Sequence, residues 1–154
     1  MVLPNFEENL QKYAKLLVAK GLNVQAGDWV KVSIAVNQAP LARLITKEAY
    51  QLGAEKVIIK WSDDEITKEH YLHQPEKVLT HIPKYEIGES EDHVLNHRVC
   101  RLTILSGDPG LLDEVDPKKV AAYQKAAGKA FKVQRMATQN DDLKWTVAAA
   151  AGEG

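Results

Sequence analysis

Apolar residues recur along the first third of the chain with two alternating periods. After Pro4 and Asn5, the residues Phe6, Leu10, Tyr13 and Leu17 follow at helical spacing, and Gly21 supplies a terminator. Ala26-Gly27-Asp28 reads as a turn. Residues 29–36 then alternate apolar and polar before turning mostly apolar, which predicts a strand. Pro40 opens a second helix with a stripe of Leu41, Leu44, Ile45, Ala49 and Leu52, closed by Gly53. Val57, Ile58 and Ile59 in EKVIIKW form a continuous apolar run, the pattern of a parallel strand covered on both faces.

The middle of the chain is more polar. SDDEITKEHYLH predicts a helix starting at Ser62 and broken by Pro75. Residues 76–97 predict two short helical pieces with a boundary near Pro83 or Gly88. VCRLTIL, residues 99–105, is a third strand, and SGDPG a turn. Asp116 caps a long helix with Pro117 at its first position, and Val120, Tyr123, Ala127 and Phe131 form its buried face. LKWTVAAAA predicts a fourth strand.

Helix first, then strand and helix in repeated alternation, predicts an α/β fold: one domain over 1–154, an open, mainly parallel sheet of about four strands with helices on both faces. Its crossovers should be right-handed. Composition fits this picture. The 154 residues are 45% hydrophobic and 27% charged, enough to bury a core without covalent staples. Twenty basic and 21 acidic side chains leave a net charge of -1, which gives no ground for a nucleic-acid partner or an anionic membrane surface. No apolar run reaches the roughly 20 residues of a membrane span. The amphipathic N-terminus lacks a secretory signal, so a cytoplasmic location is expected. Cys100, the lone cysteine, lies in a strand-like run and is expected to be buried and inert.

Candidate chemistry begins with KEHYLH. Glu69, His70 and His73 are a zinc-type ligand set, but a zinc-protease helix places its histidines four apart with the glutamate between them. Here the histidines are three apart and the glutamate precedes both. His93 and His97 have the four-residue spacing without a glutamate between. A solvated helix face outweighs a metal site at either pair. Asp63, Asp64 and Glu65 directly follow the second strand and Asp108 follows the third, where ligands of open α/β sheets bind. Together they could hold magnesium. Capping carries more weight, with Ser62 as cap and Glu65 three residues on. Glycine-rich phosphate loops and a G-x-S-x-G elbow are absent. Trp29, Trp61 and Trp145 flank predicted strands, where core or domain-interface packing explains them better than base stacking.

YAKLLVAKGLNVQAGDWVKV followed by PLARLITKEAYQLGAEKVIIKWSDDE resembles the N-terminal domain of the thermophilic metallo-aminopeptidase family, that of the aminopeptidase T and aminopeptidase S enzymes. The carriers are Gly21-Leu22-Asn23-Val24-Gln25 with Gly27, then Ala49-Tyr50, Gly53-Ala54, Asp63-Asp64-Glu65, and the late TQNDDLKWTVAAAA with Asn140 and Trp145. The likeness runs over essentially the whole chain. It implies a parent exopeptidase that removes N-terminal residues from peptides with two divalent metals, zinc or cobalt, activating a bridging water. The family's metal ligands lie in a C-terminal catalytic domain, and none carries over to a position here. The resemblance therefore implies a non-catalytic fragment, inactive alone, with no catalytic and no metal-ligating residue of its own. Its implied partners are that catalytic domain, a second copy in a homodimer and the parent's peptide substrates. Trp61, Asp63, Asp64 and Asp108 would form an inter-domain or access surface.

Two other readings compete. A stand-alone receiver-like or small-molecule-binding module would be built around Asp63, Asp64 and Asp108. It lacks the later strand ending in lysine that a receiver needs. A self-contained metallohydrolase would use the histidine pairs and bind zinc without further chain.

Overall fold

The computed structural model describes residues 5–107 and 109–150. The described α-helices and strands follow in order: α1 (Phe6–Leu16), β1 (Trp29–Ala35), α2 (Ala39–Gln51), β2 (Lys56–Ser62), α3 (Asp64–His73), α4 (Glu76–Leu79), α5 (Lys84–Asn96), β3 (Val99–Leu105), α6 (Pro117–Ala130), α7 (Lys132–Gln139) and β4 (Lys144–Ala149). The four strands form one open sheet in the order β2-β1-β3-β4, and every pairing is parallel. This is the expected α/β class. The described residues divide into two compact units.

The first unit comprises residues 5–62, 98–106 and 143–150 and contains the whole sheet. Period-two alternation puts Val30, Val32 and Ile34 of the central strand on one face. Register places Val30 between Val57 and Cys100, and Val32 between Ile59 and Leu102. Ala14 of α1, with Leu17 and Val18 beyond it, and Leu41, Ala42, Ile45 and Ala49 of α2 close over that face. Each fully buried aliphatic side chain contributes about 1.5–3 kcal/mol relative to exposure. The helix that Gly21 should end runs regularly only to Leu16. Leu17–Gly21 then widen into a π-turn, closed by the Leu22 amide on the Leu17 carbonyl at 2.9 Å. The wider turn lets Leu17, Val18, Leu22 and Val24 all reach the core. On the opposite face the Lys56 ammonium lies 5.0 Å from the centroid of the Trp29 ring.

One strand differs from its expected setting. β2 stands at the sheet edge, so Val57, Ile58 and Ile59 are half-buried rather than covered on both faces. Leu52, counted in the buried stripe of α2, is exposed just past the helix end.

The second unit comprises residues 63–97 and 107–142 apart from 108. Its core is small: Tyr71, Leu79 and Val115, with Leu112, Val120 and Tyr123 packed against them. The Tyr71 and Tyr123 rings meet edge to face at 5.9 Å. The Lys119 ammonium donates to the carbonyls of Tyr71 at 2.8 Å and Gln74 at 2.7 Å, closing the carbonyl end of α3. Ser90 of α5 donates to Gln134 of α7 at 3.0 Å. The boundary in residues 76–97 falls at Pro83, and Gly88 lies within α5. Asp116 caps α6 through the Lys118 amide, as expected. The long helix breaks at Phe131, which joins α6 to α7 instead of extending one face.

Candidate functional site

The acidic residues after β2 act first on the backbone. Asp63, rather than Ser62, is the N-cap of α3: its Oδ1 accepts from the amides of Glu65 at 3.0 Å and Ile66 at 3.2 Å. Ser62 still belongs to β2, and the residue three after Asp63 is Ile66, so the capping box expected of Ser62 and Glu65 gives way to a single aspartate cap. Sequence reasoning finds the cap but not its position, because a strand and a helix meet there without a spacer. The Asp64 carboxylate stands beside Gly107, where an added Cβ would meet Oδ2 at 3.5 Å. The loop after β3 and the start of α3 are thus brought together. Asp108 lies outside the described residues. Trp61, on the core-facing side of β2, is 47% exposed.

The histidines are spread apart. His73 Nε2 lies 3.0 Å from Glu69 Oε2 on the exposed surface of α3. His93 is buried within α5, and His97, at its end, faces Asp92 Oδ2 at 3.3 Å. Among the described residues, no three His, Cys, Asp or Glu side chains are grouped to hold a metal ion. The described residues therefore do not fit the dimetal chemistry that the resemblance implies for the parent, and no hydrolytic step is assigned to them.

Among the described residues, a connected polar cluster lies at the amino end of the sheet, and sequence reasoning missed it. Asp28, immediately before β1, is 3% exposed. Its Oδ2 accepts from Lys144 Nζ at 2.6 Å, the Gln25 amide at 2.8 Å and Cys100 Sγ at 3.5 Å, while Arg98 Nε lies 3.5 Å from Oδ1. Lys144 also donates to the Asn23 carbonyl at 2.7 Å, and Arg98 to that of Ala26. Burial by itself pushes the Asp28 carboxyl up. The Lys144 hydrogen bond, the Gln25 amide and the Lys144 charge outweigh burial and hold it below the ordinary range. Burial, foremost, pushes the Cys100 thiol up to about 11, an unreactive state at neutral pH. This cluster ties the amino ends of β1, β3 and β4 to the loop at residues 23–28. Its chemistry is that of a clamp. The available signal was weak: an aspartate in a turn, with its cation 116 positions away.

Known proteins are similar to this chain over nearly its whole length. The sequence profile of the thermophilic metalloprotease (M29) family matches residues 6–154. Aminopeptidase PepS of Streptococcus thermophilus is 50% identical over 153 residues, and aminopeptidase AmpS of Bacillus subtilis is 36% identical over 152. Each match takes in 99% of this chain but 37% of the relative, so the chain spans little more than a third of their length. The solved structure of AmpT from Thermus thermophilus superposes with a TM-score of 0.85 at 27% identity, over 96% of this chain and 37% of that one. On the strength of a match running through both units, the chain belongs to the thermophilic metalloprotease (M29) family.

Proposed function

We propose that this chain is the non-catalytic N-terminal domain of a dimetal aminopeptidase that removes N-terminal residues from peptides. The observation that carries the reading is coverage: nearly all of this chain aligns with 37% of proteins named aminopeptidases. The two metals, zinc or cobalt, and the residues that hold them belong in this reading to the rest of the polypeptide. When bound they supply an activated water and a polarised carbonyl. The residues described here supply none of that chemistry and serve substrate access and assembly, in a cytoplasmic homodimer. Trp61, Asp63, Asp64 and Asp108 are assigned to the access surface. Asp63, already committed to two backbone amides, orients α3 there rather than holding a cation.

The test combines metal content per chain with leucine-anilide hydrolysis on the same folded sample, with zinc or cobalt added. The expected result is no stoichiometric metal and no turnover. Bound metal with turnover would overturn the reading.

A further inference from the structure

Within the first unit, the sheet face away from α1 and α2 carries an apolar strip at its β3–β4 end. Register pairs Arg101 with Trp145, Thr103 with Val147 and Leu105 with Ala149, so Trp145, Val147 and Leu105 share that face. They are 47%, 52% and 56% exposed. β4 is also a sheet edge. The Ala150 amide donates to the Leu105 carbonyl at 3.0 Å, and the period of two then turns the backbone groups of Trp145, Val147 and Ala149 outward. The Ala149 carbonyl is taken by the Tyr13 hydroxyl at 2.6 Å. No charged residue or proline interrupts residues 145–149. An open edge of this kind invites strand addition, and proteins normally guard it with charge, proline or cover.

From this we infer that the strip Leu105–Trp145–Val147, with the outer edge of β4, is the docking surface for the remainder of the longer polypeptide. The occupant is an apolar surface that lends main-chain donors and acceptors to β4. The inference rests on the proposed function. Two observations select this occupant. The relatives are far longer than this chain, which spans 37% of each. β4 is also the last described element, and its outer edge pairs with no other described strand.

The test compares hydroxyl-radical footprinting of Trp145 in the isolated 154-residue chain and in a chimera. In the chimera this sequence replaces the matching 37% of the Streptococcus thermophilus enzyme. Trp145 should be oxidised readily in the isolated chain at every concentration and severalfold less in the chimera. Equal oxidation in both overturns the docking surface. Protection that grows with concentration in the isolated chain also overturns it, by making a second copy the occupant. Leucine-anilide hydrolysis by the chimera reads the peptidase proposal separately: protection without activity sinks that proposal and leaves the docking surface standing. A second measurement needs no chimera. Val147→Asp with Leu105→Asp should lower binding of anilinonaphthalene sulfonate to the isolated chain severalfold, and unchanged binding removes the open apolar strip.

Discussion

Gly53 sits at φ +95°, and an added Cβ would lie 3.0 Å from the Ala26 Cα. Its carbonyl accepts the Gly27 amide at 2.9 Å, so the turn before β2 lies directly on the turn before β1. Gly53→Ala should lower stability by about 1–3 kcal/mol, read from the urea midpoint, because both the dihedral and the backbone neighbour oppose a methyl group. Gly88→Ala is the opposite case. Nothing lies within 4 Å of its added Cβ, inside α5. That change should stabilise by about 0.5–1 kcal/mol. Asp28 adds a dependence on acidity. Its folded-state pKa is depressed, so its stabilisation is full above the unfolded value and is lost as pH falls through the folded one. Asp28→Asn should cost about 1.5–3 kcal/mol at pH 7 and flatten the loss of stability below about pH 4, in denaturant melts across that range. The residues that carry the family likeness now have physical roles. Asn23 adopts φ 49°, Leu22 and Val24 are buried, the Gln25 amide binds Asp28, and the Tyr50 hydroxyl accepts from the Val57 amide. They build the amino end of the sheet, which is why they were legible as a pattern and silent about catalysis.

Among elements, the strands were the most legible. Each has a glycine or aspartate within two residues of one end, and β3 falls on the expected residues 99–105. The edge position of β2 was not legible, because a continuous apolar run looks the same at an edge and in the middle of a sheet. β4 is the weakest attached strand by composition. Its core-side residues are Lys144, Thr146 and Ala148, and the first two are held by polar bonds, Thr146 through the Gly21 carbonyl at 2.8 Å. Hydrogen exchange should therefore find the amides of β4 opening well before those of β1, whose inward side chains are fully buried. Similar protection in both strands would mean that the polar ties match the apolar core. At α3, Asp63→Ala should cost about 1 kcal/mol through loss of the cap, whereas Ser62→Ala should be near neutral in the same melts.

At the scale of the whole molecule, the two units differ in the size of their cores. The first gathers α1, α2 and all four strands, and the second only a handful of side chains around Tyr71. Amide protection should accordingly be lower through α3–α7 than through β1 and β3. Each unit is assembled from separate stretches of sequence, so a pass along the chain cannot reveal the division. The candidate site was legible only in part, for a related reason. The acidic start of α3 is a local signal. The clamp at Asp28 is made by residues that meet only after the sheet has formed.

That clamp has a consequence for the order of synthesis. As the chain leaves a ribosome, Asp28 emerges early, and its closest cation is 116 residues behind it. The bond from Tyr13 to the Ala149 carbonyl waits longer still, across 136 residues. Until Lys144 has emerged, the nascent first unit holds a carboxylate without its main counter-charge and a β3 edge without its neighbour. A pause before Lys144 emerges would hold the first unit with the β3 edge bare, and the arrival of β4 covers that edge and moves the open one outward to β4 itself.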